Sequence, residues 1–123
     1  MDKLVDGYGV HEYPNGDPRA TVPDRIAELE HKKIFSECRE DTKPCWLTEW
    51  GFGNSNYSCP IDDSSRMQKI AAERSAFGQY IQHGRLAGMI YFCWAGMPGA
   101  KDNNAVFRCG ALTEAGKVAL SPM

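Results

Sequence analysis

Cys45-Trp46-Leu47-Thr48-Glu49-Trp50 is a mostly apolar run of six residues, closed by Pro44 on one side and Gly51 on the other. So short a run between two breakers suits a β-strand covered on both faces, not a helix. Two other stretches read the same way: residues 5–13, ended by Pro14-Asn15-Gly16-Asp17-Pro18, and Leu86 to Trp94. Helical periodicity fills the gaps between them. Thr21 offers a cap, Pro23 suits a first turn, Asp24 complements the helix dipole, and Ile26, Leu29, Ile34 and Phe35 give an apolar face up to about Glu40. Met67, Ile70, Ala71, Arg74, Phe77 and Ile81 then recur at helical spacing, with caps at Asp62 to Ser64 and a terminator at Gly84. A short final helix runs from a Thr113 cap to Leu120. The order β-α-β-α-β-α calls for parallel strands joined by crossovers, an α/β chain.

With 123 residues and no internal repeat or linker, residues 1–123 read as one unit. A formal net charge of −2, with Lys and Arg scattered along the chain, gives no basis for a nucleic-acid or membrane partner. No stretch approaches the length of a membrane span, and the N-terminus has no apolar h-region, so localisation is left unassigned, with a secreted parent compatible. The five cysteines form no Cys-x-x-Cys pair and have no nearby His-x3-His, so no metal is expected. Cys45 and Cys93 sit in apolar runs and read as buried free thiols. Cys59 and Cys109 lie in Gly/Pro/Asn-rich loops where a disulfide fits a secreted parent.

Ligands of parallel α/β folds bind at the C-terminal ends of the strands. Those ends are His11-Glu12-Tyr13, Glu49-Trp50-Gly51 and Phe92-Cys93-Trp94. Such a set suits a sugar: aromatic faces stack on pyranose rings, polar groups bond hydroxyls, and a carboxylate serves the anomeric carbon. Pro44-Cys45-Trp46-Leu47-Thr48-Glu49-Trp50-Gly51 resembles the seventh strand of clan A glycoside hydrolases, notably families 5 and 39. Gly9-Val10-His11-Glu12-Tyr13-Pro14 resembles their sixth, and Met89 to Trp94 their eighth. The tail Leu112 to Lys117 is similar to the way such barrels finish.

The resemblance implies a partial (β/α)8 TIM barrel, three parallel βα units corresponding to strands 6 to 8. It implies a retaining glycosidase, free of metal and organic cofactor, acting on a β-linked carbohydrate as part of a longer chain. Glu49 would be the nucleophile, Tyr13 would hydrogen-bond that carboxylate, His11 would meet a substrate hydroxyl, and Trp94 would be the sugar platform, with Trp50 a further contact. The family's second carboxylate, an Asn-Glu on the fourth strand, has no counterpart here. The competing readings are a structural Glu49 paired with an Arg, a satisfied partly buried His11, and a core position for Trp50. Trp46 and Phe92 read as core or supporting residues. Glu12 alternates away from His11 and Tyr13 and is not expected to be the acid/base. A non-catalytic carbohydrate-binding or scaffold remnant of such a barrel is the alternative function. Three strands also leave open edges and an apolar face, expected to include Cys45, Leu47, Ile90 and Phe92, so a homo-oligomer or association with the rest of the barrel is expected.

Overall fold

The structure, a computed structural model, describes residues 6–13, 17, 19–31, 43–97, 99 and 101–122. The apolar run bounded by Pro44 and Gly51 is strand β2 (Cys45–Trp50) over its whole length. It lies between β1 (Tyr8–His11) and β3 (Gly88–Tyr91), and both neighbours pair with it in parallel. Helix α1 (Val22–His31) follows β1, and α2 (Ser64–Gln82) follows β2. At the start of α1 the Thr21 amide and hydroxyl donate to Asp24 Oδ2 at 3.1 and 2.5 Å, tying the first turn together. The continuation of this helix towards Glu40, with Ile34 and Phe35, lies outside the described residues.

The outer strands are shorter than their apolar runs, and the hydrogen bonds give the reason. Phe92 N still donates to Trp50 O, but the next carbonyls, of Cys93 and Trp94, accept from Val106 and Phe107 instead. The chain has by then left the sheet. Val106 leads into a hairpin that sequence reading missed, β4 (Phe107–Arg108) and β5 (Ala111–Leu112). Its central residues Cys109 and Gly110 have φ of 54° and 74°, the pattern of a tight primed turn. A disulfide from Cys109 to Cys59 holds this turn against the loop that follows β2. Thr113 then caps α3 (Glu114–Ala119) by accepting from Gly116 N at 3.0 Å.

The helices cover one face of the sheet. Cys45 and Leu47 point into that layer, where Leu29, Ile70, Phe77 and Leu86 complete the core. Each such buried side chain is worth about 1.5–3 kcal/mol. The opposite face is open: Trp46 is 44% and Ile90 53% exposed. The expectation that Cys45, Leu47, Ile90 and Phe92 share one face is therefore corrected. Register sets Leu47 beside Met89 and Trp46 beside Gly88, so strand alternation places Ile90 with Trp46. Trp46 and Phe92 are likewise exposed rather than core. A Cβ on Gly88 would lie 2.9 Å from the Trp46 ring, so glycine is what lets the indole lie across the sheet. Cys45 is also corrected: it is disulfide-bonded, not a free thiol.

Candidate active site

At the C-terminal end of the sheet β1 and β2 bring His11 opposite Glu49, after a register shift between Val10 and His11. The main chain keeps the two strands together there, since Glu12 N donates to Glu49 O at 3.0 Å. His11 Nδ1 sits 2.7 Å from Glu49 Oε2, a close imidazole–carboxylate contact at the rim. Glu49 keeps 22% of its side chain in solvent, so one edge of the carboxylate is open to a ligand. No Arg or Lys pairs with it among the described residues, as the structural reading of this carboxylate would need.

Tyr13 lies close by with its hydroxyl buried and unpartnered. Burial first, and then the negative charge of Glu49, raise its pKa, so the O–H stays protonated. It is His11, then, that lies against the carboxylate, while the Tyr13 O–H has no partner among the described residues. Trp94 is 56% exposed and stacks one face on Phe107, with centroids 5.3 Å apart and an interplanar angle of 18°. Its other face is free to meet a flat apolar ligand surface. Trp50 is different: it is 1% exposed and packed edge-on against Tyr91 at 5.1 Å, so its ring belongs to the core and offers no sugar platform. The reading of Trp50 as a substrate contact is corrected on that ground. Burial, and then Asp102, push the free thiol of Cys93 up to about 11, so it is protonated near neutral pH and no rival nucleophile.

Beneath this rim lies a buried ionic cluster that sequence reading missed. Arg25 Nη1 bonds Gly51 O at 2.8 Å, Glu73 Oε1 at 3.1 Å and Glu12 Oε2 at 3.3 Å, while its Nε bonds Ala20 O. The guanidinium also stacks on Phe52, 3.9 Å from the ring centroid. All three charged side chains are fully buried. Glu12 Oε1 and Glu73 Oε2 find no hydrogen-bond partner among the described residues, so neither buried carboxyl is fully satisfied. Desolvation by burial is the first cause raising both carboxyls, so the pair favours holding a proton. The signal in the sequence was Glu73, which falls on the core stripe of α2 between Ile70 and Phe77.

Among the described residues no group of three or more His, Cys, Asp or Glu could hold a metal ion, and no helix is long and apolar enough to cross a membrane. No protein-family model, curated protein or solved structure matches this chain.

Proposed function

We propose that this chain supplies the sixth to eighth strands of a retaining β-glycoside hydrolase of (β/α)8-barrel type, with Glu49 as nucleophile. The observation that carries the reading is the 2.7 Å His11–Glu49 contact at the ends of adjacent parallel strands, where such folds bind ligands. In this reading the Nδ1–H of His11 holds the carboxylate in one orientation, with its exposed edge facing the anomeric carbon. Glu49 attacks that carbon and the glycosidic oxygen leaves, giving a covalent glycosyl-enzyme that water later opens. Tyr13 donates its O–H to the sugar or to Glu49 as charge shifts off the carboxylate. Trp94 carries the ring on its free face.

Retaining chemistry needs a second carboxyl roughly 5 to 5.5 Å from the first. Glu12 and Glu73 are committed to Arg25 and sealed from solvent, so neither can protonate a leaving group. That task falls to strands that would cover the open face carrying Trp46 and Ile90, either from a longer chain or from an associated one. The second reading, a non-catalytic carbohydrate-binding module, is favoured by the exposed Trp94–Phe107 stack alone.

A 2-deoxy-2-fluoro β-glycoside with a dinitrophenolate leaving group needs no acid catalyst, so it tests the nucleophile directly. Mass spectrometry is expected to find the sugar esterified to Glu49, with no label in Glu49→Gln. In the assembled enzyme the same substitution is expected to lower kcat by several orders of magnitude. Absence of label on Glu49, or equal labelling of the Gln variant, refutes the assignment; sugar binding that persists without label selects the binding-module reading.

A further inference from the structure

The loop after β2 and the loop after β3 enclose a cleft of about 570 Å3 at the same end of the sheet as Glu49. That volume lies within the usual range of small-ligand sites. Its walls come from Phe52, Ser55, Lys69, Lys101, Asn103 and Asn104. The frame is rigid. Asn54 N donates to Asn103 O at 2.8 Å, and the Tyr57 hydroxyl donates to Asn103 Oδ1. Arg108 binds the carbonyls of Asn54, Asn56 and Asp102, and Arg66 binds those of Asn103 and Ala105. The Cys59–Cys109 disulfide closes the same unit.

The charges in this frame are not balanced. Lys69 Nζ lies 5.8 Å from the Phe52 ring centroid and Lys101 Nζ 4.9 Å from that of Tyr57, and neither is in an ion pair among the described residues. Arg19, at the margin, is answered by Asp17. Among the described residues the one carboxylate in the wall, Asp102, accepts from Asn104 N two residues on and so is engaged by its own loop. Two lysines in no ion pair among the described residues thus line one cleft, from positions 32 residues apart in sequence, in a chain whose net charge is −2. Beside them are amides and a hydroxyl, the groups that bind sugar hydroxyls, and the edge of an aromatic ring.

We propose that this cleft is a subsite for an acidic sugar residue, in which Lys69 and Lys101 bind a carboxylate or sulfate carried by the glycan. The inference rests on the glycosidase reading for the substrate's class, but it concerns binding and is tested without turnover. Calorimetry of the 123-residue chain would compare a β-linked glucuronate oligosaccharide, its neutral glucose counterpart, a sulfated counterpart and inorganic sulfate. The acidic oligosaccharides are expected to bind about fivefold or more tightly than the neutral one, an advantage that shrinks with added salt. Lys69→Gln with Lys101→Gln is expected to abolish the advantage while leaving neutral-sugar binding and the circular dichroism spectrum unchanged, since both lysines are exposed. Preference for glucuronate over the sulfated oligosaccharide, or the reverse, identifies which anion the site takes. Equal affinity for acidic and neutral sugars, no binding of either, or an advantage untouched by the lysine variants overturns the proposal. So does inorganic sulfate binding as tightly as the acidic oligosaccharides, because the glycan then contributes nothing. Labelling of Glu49 is independent of all these outcomes, so the subsite can fail while the nucleophile stands.

Discussion

The buried pair of Glu12 and Glu73 makes a quantitative prediction about pH. Two carboxyls share Arg25 with no access to water, and together they would bury a net negative charge if both ionised. Burial first, and then Glu73, raise Glu12 above its ordinary value of 4.5, so the folded chain keeps a proton that the unfolded chain releases. A raised folded pKa gives stability that is full below the unfolded value and is lost as pH climbs towards the folded one. The loss is at most about 1.4 kcal/mol per pH unit, or about 4 kcal/mol between pH 5 and 8 if the proton is retained throughout. Glu12→Gln imitates the protonated acid, since its amide is neutral at every pH and keeps an N–H that can donate where the acid's O–H would. Its stability at pH 5 is expected to fall within about 1 kcal/mol of the parent. At pH 8 it is expected to be the more stable of the two, by up to the same 4 kcal/mol. Arg25→Met is the contrasting case: it leaves both carboxyls without the guanidinium and is expected to cost about 3–5 kcal/mol at neutral pH. Urea unfolding of the parent and both variants at pH 5 and 8 measures all of this. If the parent and Glu12→Gln change stability in parallel between the two pH values, no proton is held in the pair and the reasoning fails.

Two further outcomes are expected. Replacing Cys59 and Cys109 by Ser opens a loop of sequence separation 50, which in the chain-entropy account costs about 4 kcal/mol, and urea unfolding should show a loss of that order. The chain is expected to self-associate at micromolar concentration through the open face carrying Trp46 and Ile90, and Ile90→Lys is expected to shift it towards monomer in sedimentation. A parent chain that sediments as a monomer refutes that.

How far the sequence could be read varied with how local the determinants were. β2 was legible end to end because Pro44 and Gly51 punctuate it, and α2 because its period and Gly84 (φ 68°) agree, although Asp63 at its start makes no side-chain cap and pairs with Arg66 instead. The ends of the outer strands were not legible, since the departure after Phe92 depends on pairing with residues around Val106, a partner no local pattern announces. The strand-end rule placed His11, Tyr13 and Glu49 at one rim, yet it could not say that His11 is the one in contact with the carboxylate and Tyr13 is left without a hydrogen-bond partner. Trp50 was misassigned because the irregular register between Leu47 and Trp50 turns its ring onto Tyr91 in the core. The lysines of the cleft look scattered along the chain because only the fold sets Lys69 of α2 and Lys101 of the loop after β3 along the same cleft.

The buried cluster also bears on how the rim is positioned. Arg25 leaves α1 and takes Glu12 from the end of β1, Gly51 O from the end of β2 and Glu73 from the middle of α2 in a single guanidinium. Glu12 follows His11, and Gly51 stands two residues beyond Glu49, so the cluster fixes the main chain immediately beside both members of the His11–Glu49 pair. An all-apolar cluster of the same volume would pack as well and avoid the cost of desolvating charge. What it would lack is direction, because hydrophobic contact allows strand ends to slide whereas a planar guanidinium with fixed donors does not. The disruption caused by Arg25→Met is therefore expected to reach the rim even where the chain stays folded. In a fluoro-glycoside experiment under folding conditions, labelling of Glu49 should slow while the melting transition stays cooperative. Labelling at the parent rate in a folded Arg25→Met chain would limit the cluster to stability alone.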